Sequence, residues 1–355
     1  MGFKAHYMAT GMGSVPYTEP DEALAMVFQH LPHLPHWPQM PQRTRREHFV
    51  YQSLTPLVEL GLIVIKEDGT CVARGQDIES ELTEFYERYL RVTETGEGLE
   101  YFAIPPESGL GLYRFVEYLK NFKRPAIVAV KGQMAGPLSI GLNLYDEERR
   151  PIFYHPQLKD VLIKNLALNA RWQARLLGEI ALPIIFIDDP GIAGWGNSTH
   201  VALSREEMVL ALREIVQEIK QAGGMAGLHA CAGIDWAVPI EAGVDIVSFD
   251  AYYYFDSLLP FSRQLQDFLE GGGLLAWGIV PTSHAVWDES VDSLLAKLRE
   301  QQERLKTAGV ARYLLESNTL ITPTCGTGLM ELAGAERVYE LTAALSAKLH
   351  KGRRK

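Results

Sequence analysis

A histidine and two cysteines in the C-terminal half of the sequence have the side chains and spacing of a transition-metal site. His229 and Cys231 are separated by one residue in "GLHACAG", and Cys325 lies in "ITPTCGTG". Asp250 ends the apolar segment "VSFD" between them. Two thiolates, an imidazole and a carboxylate suit Zn²⁺, and the soft thiolates disfavour Mg²⁺ or Ca²⁺. These residues predict a zinc site with three or four ligands: His229, Cys231 and Cys325, with Asp250 as the candidate fourth ligand.

The spacing of the first two ligands supports this interpretation without proving it. Residues i and i+2 of a strand point to the same side, so His229 and Cys231 can aim at one point. A cysteine on a buried strand is also common as simple packing, which is the alternative interpretation. The zinc hypothesis is favoured because Cys325 ends another strand candidate and could reach the same point.

A thiolate-rich zinc site suggests a particular reaction. If one coordination position is exchangeable, the metal can bind a substrate thiol and lower its pKa. The resulting thiolate is nucleophilic at neutral pH, so S-alkylation is the natural reaction and a methyl group the expected cargo. A small-molecule thiol is therefore the predicted substrate.

Short apolar segments alternate with helical patterns through the C-terminal half of the chain. Such alternation is typical of a parallel sheet with both faces buried, and at 355 residues it predicts a (β/α)₈ TIM barrel. A doubly wound open sheet is the second alternative, although no GxGxxG follows the first strand candidate, "HYMATGMGSVP". The apolar segments are 126–137, 181–189, 225–231, 244–252, 272–282 and 318–326, and the helical ones are 204–224, about 289–307 and about 335–350.

The N-terminal half is less regular. The segment "LIVIKEDGTCVARG" predicts a hairpin with an Asp-Gly turn, inserted into the barrel near residues 60–80. Cys71 in this hairpin is expected to be a free thiol without a function. We expect residues 1–355 to form a single barrel domain with this insertion.

Polar residues end most of the strand candidates. In a (β/α)₈ barrel these C-terminal strand ends converge on one mouth, which holds the active site. Residues far apart in the sequence are therefore expected to meet there. Besides the metal ligands, the strand-end residues are Ser14, Lys131, Gln133, Asp188 and Asp189.

Composition and charge limit the other classes of function. The net charge of −10 argues against a general nucleic-acid-binding protein, which needs clustered Lys and Arg. We expect no membrane segment, because no apolar run approaches about 20 residues, and no signal peptide is visible. Three widely spaced cysteines do not predict a disulfide framework, so a reducing cytoplasmic location is expected.

The ordered motifs resemble the catalytic domain of cobalamin-independent methionine synthases. "TGMGSVP" resembles the opening T-x-x-G-S-[FY]-P of that domain, "GQMAGPLS" its Gly-Pro segment and "IFIDDPGI" its Asp-Glu-Pro segment. "LHACAG", "DIVSFDAY" and "ITPTCGTGLMEL" resemble the segments that carry the zinc ligands of the family. The resemblance covers residues 10–330 and extends to the superfamily of uroporphyrinogen decarboxylases and corrinoid-dependent zinc methyltransferases.

The resemblance implies roles for individual residues. His229, Cys231 and Cys325 would bind zinc, with Asp250 in the place of the glutamate of the family.

Ser14 and Asp188 would bind the amino acid part of homocysteine, and Asp188 is also a candidate catalytic residue. Glu47 lies one turn away from a substrate-binding glutamate of the family, and Tyr51 takes its place. Homocysteine itself is therefore in question. His284 is a candidate general base, with a surface position as the alternative.

The resemblance also implies a methyl donor and partners. The chain resembles only the catalytic half of the two-barrel enzymes, not the half that helps to bind folate, so the expected donor is a methylcorrinoid, with a folate as the alternative. A corrinoid protein and a second copy of the chain, as a homodimer, are the candidate protein partners. Two other functions stay open: a metal-free lyase of the uroporphyrinogen decarboxylase type, and a non-autonomous subunit that docks a corrinoid protein.

The segment "HLPHLPHWPQMPQRTRREHF" (30–49) is harder to interpret. The prolines between its histidines favour an extended loop over a metal site. Arg43, Arg45 and Arg46 could meet a substrate carboxylate or form a solvated face. Trp277 and His284 are expected near the mouth of the barrel.

Overall fold

The fold is taken from a computed structural model, which describes residues 3–66, 70–122, 126–195 and 203–352. Nine strands and twelve α-helices alternate through these ranges. The strands are β1 (Ile63–Ile65), β2 (Cys71–Ala73), β3 (Ala129–Ala135), β4 (Tyr145–Asp146), β5 (Leu182–Asp188), β6 (Met225–Ala230), β7 (Ile246–Asp250), β8 (Leu274–Val280) and β9 (Thr319–Pro323). The helices are α1 (Pro20–His30), α2 (Thr55–Glu59), α3 (Glu79–Thr95), α4 (Leu110–Asn121), α5 (Pro137–Gly141), α6 (Pro156–Gly178), α7 (Arg205–Gln221), α8 (Ala237–Ala242), α9 (Ser262–Glu270), α10 (Val291–Thr307), α11 (Arg312–Ser317) and α12 (Leu332–Gly352).

The main sheet is a curled, half-barrel arrangement of six parallel strands in the order β3-β5-β6-β7-β8-β9. The order follows the chain without the reversal of a doubly wound sheet, so that alternative is wrong. Each of the six strands lies within one of the apolar segments predicted from the sequence.

The first strand candidate and the 30–49 segment do not form regular strands. Ala9 bridges Ile321 of β9, His36 bridges Lys131 of β3, and each bridge is parallel and isolated. Within the described residues the main sheet therefore has six of the eight strands of the predicted (β/α)₈ barrel, in a half-barrel that is not clearly closed. The physical reason is local, because glycines interrupt the first segment and repeated prolines, which have no N–H to donate to a ladder, interrupt the second.

One glycine of the first segment is required by the packing. Gly13 has φ of +133°, and a Cβ at this position would lie 2.4 Å from Cδ of Gln133. Ser14, the next residue, bridges Gln39, so the two N-terminal segments also contact each other. Backbone hydrogen bonds connect Val15 N to Gln39 O at 2.8 Å and Gln39 N to Gly13 O at 3.0 Å.

The predicted hairpin insertion is present. Strands β1 and β2 pair antiparallel, from Ile63 opposite Ala73 to Ile65 opposite Cys71, and β2 also pairs with β4. The Asp-Gly turn predicted between the two strands lies outside the described residues. Cys71 is partly buried, and burial raises the pKa of its thiol.

Alternate residues of the six parallel strands belong to two separate apolar clusters. The larger cluster lies between the sheet and the helices, and the smaller one lies on the concave inner face. The outer positions include Val130, Ile185, Ile187, Leu228, Val247, Phe249, Leu275 and Trp277. The inner positions include Ala129, Ile184, Phe186, Ile246, Leu274, Ala276 and Leu320. The period of two therefore assigns each polar residue of a strand to one face.

The helix after β5 begins as the sequence suggests. Ser204 accepts a hydrogen bond from Glu207 N at 3.1 Å, and the Glu207 carboxylate accepts one from Ser204 N at 3.3 Å. This capping box starts α7, whose buried face packs on the sheet. No helix in the described ranges is long and apolar enough to cross a membrane.

Candidate metal centre

Polar side chains replace the apolar ones at the C-terminal ends of the inner face. Asp188 of β5 is in register with His229 of β6, and His229 is in register with Ser248 of β7. Each lies an even number of residues from the apolar inner-face residues of its own strand. Because side chains alternate between the two faces of a strand, all three point to the concave side. Cys231 follows β6 directly, and Cys325 follows the end of β9 by two residues.

His229, Cys231 and Cys325 come together as the sequence predicts. One potential ligand atom from each residue lies within 4.8 Å of the other two. The His229 ring is buried, with 3% exposure, whereas both cysteines are partly exposed. Two strands, β7 and β8, lie between β6 and β9 in the sheet, so the curl of the sheet brings these residues together.

The donor atoms of these three residues could hold a metal ion. His229 Nδ1 lies 3.0 Å from Ser248 Oγ, while the buried Nε2 atom has no hydrogen-bond partner in the described part of the chain. A hydrogen bond from Cys325 and the nearby His229 ring hold the pKa of the Cys231 thiol well below its usual range. One imidazole nitrogen and two sulfurs therefore converge where a soft divalent cation would bind.

Asp250 lies beside this group but is not one of the three converging residues. Its Oδ1 atom accepts a hydrogen bond from Tyr253 N at 2.9 Å, and its side chain is buried. Burial raises its pKa to about 6, while backbone hydrogen bonds and the charge of His229 act in the opposite direction. The carboxylate is thus close enough to His229 and Cys231 for electrostatic interaction, and it is held by the loop after β7.

Asp188 adds a second carboxylate next to the cluster. Its Oδ1 atom is shielded from solvent and has no hydrogen-bond partner among the described residues. Burial raises its pKa to about 6, against the opposing charge of Lys131. The fully buried Lys131 donates from Nζ to Met12 O at 2.7 Å, and burial lowers its pKa to about 8. The charges of Lys131 and Asp188 each oppose the effect of burial on the other, and Lys131 Nζ lies 4.5 Å from the centroid of the Phe186 ring.

The neighbouring Asp189 has a structural role instead. Its carboxylate accepts hydrogen bonds from Leu138 N at 3.0 Å and from both N and Oγ of Ser139 at 2.7 Å. These bonds fix the start of α5 against the end of β5. Of the two adjacent aspartates predicted at this strand end, only Asp188 leaves an oxygen available to a ligand.

Ser14 is tied to the loop that carries Cys325. Its backbone oxygen accepts a hydrogen bond from Thr327 N at 2.9 Å, and its Oγ accepts one from Gly328 N at 3.3 Å. A Cβ at Gly326 would lie only 2.0 Å from Ser14 Oγ, so this close approach requires glycine. Ser14 therefore lies near the cluster.

Glu47 and Tyr51 lie in the irregular segment before α2. Glu47 is buried and forms an ion pair with Arg43 at 2.5 Å, while burial raises the pKa of its carboxyl. Tyr51 is partly buried, and its ring lies 5.4 Å from that of His48. The ion pair means that Glu47 already has a cationic partner within the chain.

Two residues expected near the mouth occupy different environments. His284 is exposed on a short 3-10 helix (His284–Trp287) after β8. Trp277 lies on the outer face of β8, fully buried, and donates from Nε1 to Gln301 Oε1 at 2.8 Å. The expectation that Trp277 lies near the mouth is wrong. Trp277 directly follows the inner-face residue Ala276 in β8, so its side chain points to the opposite face, towards the helices.

The 30–49 segment begins at the last residue of α1 and includes a short 3-10 helix (Arg45–Glu47), so it is not extended throughout, and part of it is buried. His36 has no solvent exposure, and its two ring nitrogens lie 2.9 Å from Trp37 O and 2.6 Å from Tyr339 Oη. Both nitrogens are thus occupied by protein atoms, which does not favour metal binding. Arg46 lies 3.7 Å from Glu107, and both side chains are largely exposed.

Sequence reasoning missed three hydroxyl groups on the inner face. Ser248 contacts His229, whereas Thr10 Oγ1 and Thr322 Oγ1 are buried without a hydrogen-bond partner in the described ranges. The sequence offered one indication, for Ser248 alone. It lies two residues before Asp250 in the same strand, so the two side chains point to the same face.

Comparison with known proteins gives no family assignment. No protein-family model matches the chain, and no curated protein matches it. Among solved structures, the chain is similar to a Listeria monocytogenes protein whose name marks it as a candidate vitamin-B12-independent methionine synthase. That match has 13% identity and a TM-score of 0.43, and it covers 67% of this chain and 69% of the other. A Bacteroidetes-affiliated GH5 cellulase gives 12% identity and a TM-score of 0.40, covering 69% of this chain and 76% of the other. Structural likeness at this distance is shared by proteins of different chemistry and assigns neither activity to the chain.

Proposed function

We propose that this chain is a zinc-dependent transferase that activates a small thiol and moves a methyl group to it. The observation that carries the proposal is the convergence of His229, Cys231 and Cys325 within 4.8 Å at the C-terminal ends of the strands. The buried, unpartnered Nε2 atom of His229 adds to it, because a buried polar atom without a partner is costly unless a ligand satisfies it. The ordered motif resemblance to methionine synthases points to the same chemistry.

The three residues supply one nitrogen and two sulfur ligands, which leaves one position of a tetrahedral site for a substrate. A zinc ion held there would lower the pKa of an incoming thiol, as S-alkylation at neutral pH requires. Asp250 stays a predicted fourth ligand. Its present hydrogen bond to Tyr253 N would have to coexist with metal binding or be exchanged for it.

Asp188 and Ser14 orient the substrate in this proposal. Asp188 is largely ionised at neutral pH, since its pKa is about 6, and its unpartnered oxygen can accept a hydrogen bond from the substrate. Ser14 is held next to the loop of Cys325 and can bind the same molecule. Glu47, Tyr51 and His284 remain proposed substrate-binding or base residues. For Glu47, the ion pair with Arg43 argues against recognition of a substrate amine.

We also propose that the two N-terminal segments complete a (β/α)₈ ring around this site. The support is the series of bridges from β9 to Ala9, from Ser14 to Gln39 and from His36 to β3. The two segments would occupy the first two strand positions of a single domain. A corrinoid protein, a folate donor and a homodimer stay proposals that no contact in the structure addresses.

The proposal is tested by assaying methyl transfer with metal-free and zinc-loaded protein. Homocysteine and other small thiols serve as acceptors, with methylcobalamin or a methylated folate as donor, and the methylated thiol is quantified by mass spectrometry. We expect product only with the zinc-loaded protein. Turnover of a tetrapyrrole carboxylate by metal-free protein would instead favour the lyase. Methyl transfer seen only with an added corrinoid protein would favour the docking subunit.

A further inference from the structure

We propose that Ser248 is a positioning residue that orients the His229 ring and determines which of its nitrogens faces the two thiols. This inference rests on the proposed function, because it concerns how the same site presents its imidazole ligand. It assigns a role to a residue that neither motif spacing nor metal-ligand chemistry identifies.

The register of the sheet places the two side chains next to each other. His229 of β6 is paired with Ser248 of β7, and both point to the inner face. The Nδ1 to Oγ distance is 3.0 Å, and Ser248 has no solvent exposure. Because both groups are buried, solvent does not compete with this hydrogen bond.

The bond decides which nitrogen can act as a metal ligand. When Nδ1–H donates to Ser248 Oγ, the proton of the neutral ring is on Nδ1 and the Nε2 lone pair is free. Nε2 is also the ring atom that has no partner in the described part of the chain. The hydroxyl therefore selects Nε2 as the donor, in the way that carboxylates and carbonyl groups commonly orient histidine ligands of zinc.

A hydroxyl group has one property that those other partners lack. It can accept from Nδ1–H and can also donate to an unprotonated Nδ1. Ser248 can thus hold Nδ1 and keep Nε2 turned towards the thiols in both states, but only the state in which Nδ1–H donates leaves the Nε2 lone pair free for a metal. Thr322 provides a contrast on the same face, because its buried hydroxyl has no hydrogen-bond partner among the described residues.

The test compares Ser248→Ala, Ser248→Thr and the matched control Thr322→Val, which removes a different buried hydroxyl from the inner face. Zinc affinity is measured by competition with a chromophoric chelator, and thermal unfolding shows that each variant is folded. We expect Ser248→Ala to weaken zinc binding about 10–100-fold, the usual effect of removing such a partner. Ser248→Thr should retain most of the affinity, and Thr322→Val should leave it unchanged.

Nitrogen chemical shifts of ¹⁵N-histidine-labelled protein provide a second readout that does not depend on activity. In zinc-loaded wild type the His229 proton should be on Nδ1, and in metal-free Ser248→Ala the distribution between the two nitrogens should change. Wild-type affinity in Ser248→Ala, or an equal loss in Thr322→Val, would overturn the inference. If the wild type binds no zinc, the proposed function fails. The spectra of the metal-free proteins then test the role of Ser248 alone. An unchanged distribution of the His229 proton between Nδ1 and Nε2 in Ser248→Ala would refute that role.

Discussion

Replacing Cys325 with serine is expected to lower the zinc affinity of the protein by about two orders of magnitude, and replacing Cys231 should have a similar effect. Structural zinc sites bind with about 10–16 kcal/mol of free energy, so one of four ligands contributes about 3 kcal/mol, or roughly a hundredfold in affinity. A serine hydroxyl is a poor ligand for zinc compared with a thiolate. Both cysteines are partly exposed and follow strand ends, so the substitutions should leave the fold intact.

Cys71→Ser is the matched control for this experiment. Cys71 lies on the hairpin, and it is not one of the three converging residues. Metal content after dialysis and chelator competition should be the same for this variant as for wild type. Retention of full zinc affinity by both Cys231→Ser and Cys325→Ser would show that the cluster is not the metal site.

Oxidation of the metal-free protein is expected to join Cys231 and Cys325 in an intramolecular disulfide. Their sulfur atoms lie within 4.8 Å, and the lowered pKa of Cys231 supplies the thiolate that attacks a disulfide. With glutathione disulfide as oxidant, the thiolate first forms a mixed disulfide and releases one glutathione. Cys325 then displaces the second glutathione and closes the protein disulfide, so two glutathione molecules are formed for each bond.

Peptide mapping under non-reducing conditions measures the outcome. The 231–325 linkage should form in metal-free protein, and bound zinc should protect against it because both thiolates are then ligands. Cys71 should react more slowly, since burial raises the pKa of its thiol. Preferential modification of Cys71, or an equal rate of disulfide formation with zinc bound, would contradict the geometry described here.

The sequence predicted the main elements because their signals are local. Apolar segments separated by helical patterns identify strands β3 and β5–β9, and parity within each strand places Asp188 and His229 on the same face. The convergence of His229, Cys231 and Cys325 was also predictable, because cysteine is rare in this chain and two of its three copies lie at strand ends. For these residues, local pattern and tertiary structure point to the same conclusion.

The remaining features depend on long-range packing that a single sequence does not reveal. The N-terminal segments contact β3 and β9 through single bridges, and their prolines and glycines hide the strand pattern. Asp189 resembles a site residue by position, yet its hydrogen bonds to Leu138 and Ser139 fix a helix start. Ser248 acquires a role only through its register with His229, which depends on how β6 and β7 pair.

X-ray absorption at the zinc edge, recorded with and without an added thiol, tests the central claim most directly. The account predicts about one zinc per chain, with two sulfur ligands and at least one nitrogen ligand in the protein alone. Addition of the substrate thiol should introduce one further zinc–sulfur contact, and this change should be absent in Cys325→Ser. Zinc without sulfur ligands, or a spectrum that no thiol alters, would contradict the proposal that this site activates a thiol.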